Sequence, residues 1–419
     1  MMISHNRRKI LQASGALAAA TSVPLMARAQ AAAPRVVVIG AGFAGATLAK
    51  YVRMWNPAIQ VTLIEPNPTH VSCILSNLVM TGALGMSTIT LRYDNLRNKY
   101  GVKLVADRAV AIDSVNRIVT TQTGNRIAYD KLVLAPGIDF DAVPGLDTAV
   151  LPHAWQAGPQ TLALKAQLDA VPAGGTFVMS IPPAPYRCPP GPYERACLLA
   201  DTLLRRRRAG RVIVLDANND VVAEPHTFHT AFQTTYASVI DYRPSSVVTS
   251  VDWANKTIHT NWGPIRADAA NIIPPQKAGK MVVAAGLLGA NPATRWAPVN
   301  PLSYESTVVP NIHVIGDSQG TGQPKSGHMA NSQAKVCADA LIRYFAGEAP
   351  DPAPMTNSAC YSPITSTTAS WLTVVFGYDA ASGLMKPVPN TLAEAPTPSG
   401  DHYEDMFGWA NNLFADSFS

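Results

Sequence analysis

The chain has 419 residues, of which 47% are hydrophobic and 15% are charged, so its composition is that of a globular protein and not of a disordered one. This length predicts two or three domains, because a domain has about 150 residues. The net charge of +5 is too dilute for a nucleic-acid-binding surface, and beyond the N-terminus no apolar run of about 20 residues could span a membrane.

The first thirty residues have the pattern of an export signal. Arg7 and Arg8 precede a stretch of small apolar residues, and the sequence Ala27-Arg28-Ala29 offers a cleavage site. Residues 1–29 are therefore predicted to be a twin-arginine signal, with an ordinary secretory signal as the alternative. Since twin-arginine export carries folded proteins, we expect a periplasmic enzyme that acquires its cofactor before export.

A dinucleotide-binding turn follows directly. The buried-strand run Arg35–Ile39 ends in a glycine pattern formed by Gly40, Gly42 and Gly45, and a stretch of helical composition comes next. In this pattern the first glycine allows a tight turn, the second lets the backbone approach a pyrophosphate, and the third lets helix and strand pack closely. Glu65, at the end of the next predicted strand, can accept hydrogen bonds from a ribose diol.

Two later strand segments complete this half of the chain. Residues 130–137 and 311–317 each run from a buried strand into a glycine-containing turn, and both resemble segments that return to the dinucleotide in disulfide-reductase-like flavoproteins. The resemblance implies FAD as the cofactor, with an aspartate meeting the ribityl-phosphate region. The candidate cofactor contacts in these segments are Ala135, Gly137, Gly316 and Asp317.

The order of these segments predicts an α/β fold with two dinucleotide-binding-like domains and a small C-terminal cap. The FAD-binding domain is expected to be discontinuous, from residues 32–147 and 280–348. Residues 148–279 form the inserted second domain. Residues 349–419 form the cap, which is rich in Pro, Ser and Thr and also carries aromatic residues.

The second domain lacks a normal nucleotide turn. Its strand, Thr176–Ile181, leads into the proline-rich segment 182–192, where ordinary relatives have glycines. Proline has no backbone N–H and fixes φ, so this turn cannot supply the amides that a pyrophosphate needs. We therefore expect that the nicotinamide site is lost and that electrons come from another donor. Cys188 lies where the glycines would have been.

Five cysteines offer further chemistry, and in an oxidising compartment thiols tend to be paired, buried or used. Cys197 and Cys337 lie in predicted helices and have the pattern of buried core residues. Cys73, Cys188 and Cys360 lie in turns or at strand ends and are the better functional candidates. The residues alone leave the pairing of all five open.

Three segments, residues 70–77, 188–195 and 324–335, resemble the flavoprotein subunit of flavocytochrome c sulfide dehydrogenase. The likeness extends over essentially the whole chain after the signal. It implies an FAD-dependent enzyme that oxidises sulfide to elemental sulfur or polysulfide. It also implies a c-type cytochrome subunit, docked over the cap, that carries the haem and accepts the electrons.

The same resemblance implies roles for individual residues. Cys73 would be joined by a thioether to the flavin. Cys188 and Cys360 would form a redox disulfide over the flavin, which is a suitable electrophile for the soft sulfide anion. Glu194 would act as the acid or base for the proton of hydrosulfide. Lys325 is expected to stabilise negative charge on the reduced flavin.

Two of these roles have plain structural alternatives. Glu194 could be a carboxylate that stabilises the start of a helix predicted over residues 193–208, and Lys325 could be a surface lysine. His70 and His328 depart from the residues expected at their positions, which puts side contacts in doubt and not the chemistry.

Two other functions remain open. A sulfide:quinone oxidoreductase would use the same disulfide and pass electrons to a membrane quinone, and it would need an apolar face on a C-terminal helix, for which residues 401–419 are the candidate. A non-catalytic flavin-dependent binding or assembly protein is the third possibility. The sequence has no C-x-x-C-H motif, so any haem belongs to a partner chain.

Overall fold

The computed structural model describes residues 32–206, 210–291 and 293–419. The predicted export signal, residues 1–29, lies outside the described residues. The description below concerns the unit Pro34–Ser419. Within the described ranges we find no helix that combines the length and the apolar character needed to cross a membrane.

The first part of the unit alternates strands and helices. Its elements are β1 (Arg35–Ile39), α1 (Phe43–Trp55), β2 (Gln60–Ile64), β3 (Thr69–Val71), α2 (Ser76–Thr81), β4 (Thr90–Arg92), α3 (Asp94–Asn98), β5 (Lys103–Val105), β6 (Ala109–Asp113), β7 (Ile118–Thr121), β8 (Arg126–Ala128), β9 (Lys131–Leu134) and β10 (Ile138–Phe140).

The middle of the unit repeats the alternation and then adds a hairpin region. Its elements are α4 (Pro159–Asp169), β11 (Thr176–Ile181), α5 (Gly191–Arg205), β12 (Arg211–Asp216), α6 (Pro225–Thr230), β13 (Ile240–Arg243), β14 (Val248–Asp252), β15 (Thr257–Thr260), β16 (Gly263–Arg266), β17 (Ala269–Ile272), β18 (Gln276–Ala278) and α7 (Lys280–Ala284).

The last part returns to the first sheet and then builds the cap. Its elements are β19 (Ile312–Val314), α8 (Gly327–Ala346), β20 (Met355–Pro363), β21 (Ala369–Asp379), β22 (Leu384–Pro387), β23 (Ala393–Glu394) and α9 (Gly400–Phe418).

Two parallel sheets form the framework. The first has the order β19-β9-β1-β2-β5, so a strand from late in the chain lies beside β9. The second has the order β13-β12-β11-β17. Their central strands are almost wholly apolar and buried, as expected for parallel strands that are covered on both faces. In both sheets the carboxyl ends of the strands present loops to the candidate site.

The cap packs against the first sheet's helices. Strands β20 and β21 form a long antiparallel pair, and β22 and β23 both pair with β21. Helix α9 lies on α1, where Lys50 donates hydrogen bonds to the carbonyl oxygens of Ala415 and Asp416. These bonds tie Lys50 of α1 to carbonyl groups in the last turn of α9, where helical carbonyl groups commonly lack an intrahelical partner.

This architecture confirms the predicted fold class. The strands predicted at residues 35–39, 60–64 and 176–181 have the observed bounds. The predicted strand at residues 311–317 is shorter in the structure, where β19 ends at Val314 and a 3-10 turn covers Gly316–Ser318. Helix α5 begins at Gly191, two residues before the predicted start, because Pro192 is tolerated in a first helical turn. The residue boundaries of the domains stay predictions.

Candidate functional site

The glycine turn after β1 has the tight geometry that the spacing predicts. A Cβ on Gly45 would lie 1.8 Å from the carbonyl oxygen of Gly40, and a Cβ on Gly40 would lie 2.4 Å from that of Ala135. Gly40 also has a φ of +97°, which favours glycine. A Cβ on Gly42 would contact only His70, at 3.7 Å, so the protein itself has room for a side chain here. Because Gly42 lines the cavity, the missing side chain leaves space for a ligand to approach the backbone.

Glu65 is positioned by the same turn. Its Oε2 accepts a hydrogen bond of 3.0 Å from the backbone N–H of Ala41, while Oε1 accepts bonds from the backbone and side chain of Asn67. The carboxylate is therefore fixed at the end of β2, where the dinucleotide fingerprint requires an acid.

A cavity of about 890 Å³ extends from this turn towards the cap. It brings together most of the predicted site residues from both parallel sheets and the cap. The predicted residues that line it are Gly40, Gly42, Glu65, Cys73, Ala135, Gly137, Cys188, Glu194, Gly316, Asp317 and Cys360. Gly45 lies behind the turn and Lys325 lies outside the lining, so neither contributes a cavity wall.

Unpartnered polar atoms point to an extended polar ligand in this cavity. Asp317 Oδ1, Arg187 Nη2 and His70 Nε2 are buried without a hydrogen-bond partner among the described residues. Burial raises the pKa of Asp317, and Arg187, whose Nη1 lies 3.9 Å from Asp317 Oδ2, opposes that rise. The open glycine turn, the fixed acid and these unpartnered atoms fit an FAD-sized group.

Cys188 lies in a constrained turn between β11 and α5. It has a φ of +57°, which is unfavourable for a residue with a Cβ, and its N–H donates a 2.6 Å hydrogen bond to the carbonyl oxygen of Lys325. Gly191 makes room for the thiol, because a Cβ there would lie 2.8 Å from Cys188 Sγ. Such backbone strain is typical of functional sites.

Cys360 approaches the cavity from the cap, on β20, opposite Leu372 of β21. Burial, together with the smaller effects of the charges of Glu224 and Glu194, raises the pKa of Cys360 to about 12. Burial also raises the pKa of Cys188, and the charge of Cys360 contributes to that rise. The Cys360 thiol therefore lies close enough to influence the ionisation of Cys188.

The predicted bridge between Cys188 and Cys360 is not formed in this structure, in which all five cysteines are free thiols. Both thiols nevertheless line one cavity, and their pairing stays a prediction. Cys197 and Cys337 are fully buried, which confirms that they are core residues. Cys73 lines the cavity after β3, with its Sγ 3.8 Å from the carbonyl oxygen of Trp155.

Glu194 is the buried carboxyl beside Cys188. It lies in the first turn of α5, where burial raises its pKa to about 8, and Asn77 donates a 2.8 Å hydrogen bond to its Oε1. The helix-start alternative accounts for its position in the chain, while a buried carboxyl on the cavity wall also fits the predicted acid or base role, which stays a prediction.

The sequence reasoning missed the buried Arg195 next to it. Its guanidinium donates hydrogen bonds to Asn77, to Asn271 and to the carbonyl oxygens of His153 and Ala154, all neutral acceptors. Arg195 lines the cavity and therefore places a positive charge there. Its position directly after Glu194 in a helix start was the available signal.

Lys325 is buried, so its alternative as a surface lysine is wrong. Its Nζ donates a 2.7 Å hydrogen bond to the carbonyl oxygen of Gln319 and lies 3.7 Å from the centre of the Trp296 ring. Burial lowers its pKa to about 8, and Asp317 opposes that shift. The ammonium group thus faces the protein, and its role towards a reduced flavin stays a prediction.

The proline-rich turn after β11 is closed by the protein itself. Asn218 accepts a hydrogen bond from the N–H of Ala184 and donates one to the carbonyl oxygen of Pro182. Two polar backbone groups of this turn are thereby bonded within the protein. The loss of the pyrophosphate site in the second domain stays a prediction.

Comparison with known proteins gives two family matches and a relative of similar length. Residues 161–274 match the family described as sulfide dehydrogenase (flavocytochrome c) flavoprotein chain, central, and residues 34–165 match the pyridine nucleotide-disulphide oxidoreductase family. The chain is 24% identical over 421 residues to the sulfide-quinone reductase of Aquifex aeolicus, covering 92% of this chain and 93% of that protein.

A shorter match is closer in sequence. The sulfide dehydrogenase (flavocytochrome c) flavoprotein chain of Chlorobaculum thiosulfatiphilum is 56% identical over 45 residues, which is 11% of this chain and 94% of that sequence. Among solved structures, the sulfide:quinone oxidoreductase from Aquifex aeolicus has a TM-score of 0.74 at 19% identity, covering 92% of this chain and 91% of that one. The structural likeness shows a shared fold.

Proposed function

Because this chain contains a pyridine nucleotide-disulphide oxidoreductase domain and the central domain of a sulfide dehydrogenase flavoprotein chain, we propose that it is an FAD-dependent sulfide oxidoreductase. The observation that carries the proposal is the shared cavity. Cys188, Cys360 and Glu194 line the same space as the glycine turn after β1.

The cofactor would be held by residues from three strand ends. The turn after β1 would offer backbone N–H groups to the pyrophosphate, Glu65 would meet the ribose, and Asp317 would face the ribityl region. FAD, when bound, supplies two-electron acceptance at its ring system. Covalent attachment through Cys73 is part of the proposal, supported by the half-buried thiol at the cavity wall.

The thiol pair performs the first chemical step. Hydrosulfide attacks the Cys188 sulfur of a disulfide with Cys360, a sulfur-sulfur bond forms at Cys188, and the electron pair of the broken bond leaves on Cys360. Glu194, with its raised pKa, can hold the proton that the sulfide sulfur gives up. The fixed charge of Arg195 favours entry of an anion.

Two electron acceptors are compatible with this chemistry, a membrane quinone and a c-type cytochrome. The relative that matches over 92% of this chain is named a sulfide-quinone reductase. This favours a quinone as acceptor over the c-type cytochrome that the sequence resemblance implied. A membrane quinone requires access to the lipid surface. On α9 the apolar residues that could provide it are largely used inside the protein, since Met406, Leu413 and Phe414 are buried.

A c-type cytochrome is the second candidate, favoured by that buried apolar face and by the close 45-residue match. The outward face of α9 is polar and includes Asp401, Glu404 and Asp405. A periplasmic location, by way of the twin-arginine signal at residues 1–29, belongs to the same proposal.

Rapid mixing with sulfide tests the function. Under anaerobic conditions sulfide should bleach the flavin of the wild-type protein, and Cys188→Ala and Cys360→Ala should each slow bleaching by about 100-fold or more while dithionite still reduces the flavin. Cys197→Ala, a buried cysteine outside the cavity lining, is the matched control. Near-normal rates in both cavity variants would contradict the mechanism.

Turnover with a water-soluble quinone analogue and with a c-type cytochrome then separates the two acceptors. A quinone-linked enzyme reduces the analogue with saturation kinetics and leaves the cytochrome oxidised. The reverse pattern identifies the cytochrome as acceptor.

A further inference from the structure

A second buried carboxyl group, Glu224, lies on the cap side of the site. Its residue is only 1% exposed, and it precedes α6 with a φ of +50°, which is an unfavourable backbone angle for glutamate. Its Oε2 accepts a 2.5 Å hydrogen bond from Ser362 Oγ, whereas Oε1 has no partner among the described residues. A strained, buried and half-satisfied carboxyl needs an explanation beyond packing.

Strand geometry places this carboxyl beside Cys360. Alternate residues of a strand point to the same face, so Ser362 and Cys360 share one face of β20. Ser370 lies opposite Ser362 on β21, and its hydroxyl is 3.3 Å from that of Thr227 on α6. These contacts fix α6, and with it Glu224, against the strand that carries Cys360.

The result is one buried carboxyl near each thiol. Among carboxyl groups, Glu194 has the larger influence on Cys188, and Glu224 has the larger influence on Cys360. We propose that Glu224 is a positioning residue that controls the ionisation of Cys360 during sulfide oxidation. The inference rests on the proposed function, because it assigns Glu224 to the thiol that departs when hydrosulfide attacks.

The chemistry requires such control at Cys360. As hydrosulfide bonds to the Cys188 sulfur, the Cys188–Cys360 bond breaks, and Cys360 receives the electron pair as a thiolate. The sulfide sulfur is oxidised to the persulfide level and the departing cysteine sulfur is reduced. A neutral Glu224 leaves the new negative charge unopposed, whereas an ionised Glu224 repels it.

The charge state of Glu224 changes near neutral pH. Burial raises its pKa to about 7, the hydrogen bonds from Ser362 and Ser370 oppose that rise, and the charge of Glu394 on β23 adds to it. The titratable groups that interact with Glu224 are Glu194, Cys197, Cys360 and Glu394. Disulfide cleavage should therefore become less favourable as the pH rises through the titration of Glu224.

The test measures the reactivity of the cysteine thiols and does not depend on enzyme turnover. FAD-loaded protein is reduced with dithiothreitol without oxygen, and alkylation of each cysteine by iodoacetamide is followed by peptide mass spectrometry from pH 5.5 to 9.5. In Glu224→Gln, Cys360 should react about tenfold faster than in wild type at pH 8 to 9, because the pKa of its thiol should fall by about one. Below about pH 6 the two rates should converge, since wild-type Glu224 is then neutral.

Three comparisons make the result specific. Glu194→Gln should accelerate Cys188 more than Cys360, which is the reverse of the Glu224→Gln pattern. Glu404→Gln, an exposed glutamate on α9, should change neither thiol. If Glu224→Gln fails to fold, Ser362→Ala replaces it. Without the hydrogen bond from Ser362, the pKa of Glu224 should rise. The change of slope in the plot of the Cys360 alkylation rate against pH should then move to higher pH.

Equal Cys360 rates in wild type and Glu224→Gln at pH 8 to 9, or equal acceleration of both thiols, would overturn the assignment. Because alkylation needs neither sulfide nor an acceptor, its outcome is independent of the proposed function. A protein that shows the expected alkylation pattern but no bleaching by sulfide would retain the Glu224 assignment and lose the proposed substrate.

Discussion

The hydroxyl group of Tyr193 donates a 2.8 Å hydrogen bond to Asp216 Oδ2 in the interior of the second domain. Asp216 ends β12, the position where a nucleotide-binding half presents its ribose-binding acid and the counterpart of Glu65, which follows β2 in the first domain. Tyr242 donates a second 2.8 Å bond to the same oxygen, and Asn218 donates two bonds to Oδ1. The acid is present, but its hydrogen-bonding capacity is used by the protein.

This arrangement predicts that reduced nicotinamide nucleotides are inert. Mixing the protein with millimolar NADH or NADPH should leave the flavin absorbance unchanged, since neither the ribose-binding acid nor the proline-rich turn is free to bind. Stopped-flow absorbance checks the expectation, with dithionite as the positive control. Rapid bleaching by either nucleotide at micromolar concentration would contradict it.

Cys73→Ser tests the covalent link. The variant should fold and bind FAD, because the glycine turn, Glu65 and Asp317 are unchanged, but its flavin should be released by acid precipitation. The wild-type protein should keep its flavin in the pellet. Absorbance and mass of the precipitated protein decide between the two outcomes, and acid-stable flavin in the variant would exclude Cys73 as the attachment site.

Glu194→Gln tests the raised pKa through stability. A buried carboxyl with a pKa raised from 4.5 to about 8 contributes stability that is complete below pH 4.5 and lost as the pH rises through about 8. A pKa difference of one between the folded and unfolded protein corresponds to about 1.4 kcal/mol of unfolding free energy. Between pH 5 and pH 8 the variant should therefore lose less unfolding free energy than wild type, by a few kcal/mol.

Urea denaturation at both pH values measures this difference. Some pH dependence should remain in Glu194→Gln, because the pKa of Glu224 is also raised. Glu404→Gln serves as the exposed control. An unchanged pH dependence in Glu194→Gln would show that this carboxyl is ionised in the native protein.

Phe418→Ala tests the contact between α9 and the cavity. Phe418 is buried, and its ring stacks on His70 with ring centres 5.3 Å apart. Removing a buried phenylalanine costs about 3 to 5 kcal/mol, so the variant should melt lower and should also bind FAD more weakly, because His70 lines the cavity. Phe407→Ala, on the half-buried side of the same helix, should have the smaller effect on FAD retention. Equal FAD retention in both variants would contradict the link.

The parts of the fold that follow local rules could be predicted from the sequence. The strands at Arg35–Ile39 and Gln60–Ile64 are short apolar runs next to turn residues, so their bounds could be read directly. The C-terminal end of β19 could not be predicted from the sequence. The apolar run continues past Val314 into a turn in which Gly316 has a φ of +70°. Sequence hydrophobicity does not record such a change of backbone angle.

The candidate site was predictable where a motif or a resemblance marks a residue, as at Cys188 and Glu194. Glu224 and Arg195 were missed because their roles depend on partners far away in the chain. Glu224 meets Ser362 only after β20 has folded against α6, and Arg195 meets Asn271 only in the folded chain. For Arg195 the available signal was its position directly after Glu194 at a helix start, and for Glu224 it was a charged residue between Ala223 and Pro225. Neither signal identifies the partner.

The backbone bond from Cys188 to Lys325 has a consequence for how this site tolerates change. The turn that bears the thiol and the segment that leads from Asp317 into α8 are joined main chain to main chain, as a short parallel bridge between Arg187 and Lys325. The position of the Cys188 turn relative to the segment that follows Asp317 is thus supported by peptide groups that every amino acid except proline can supply. Substitutions at the two bridge positions, other than to proline, would keep these main-chain groups, while an insertion of a single residue on either side would shift the pairing of Arg187 with Lys325 and move the Cys188 thiol.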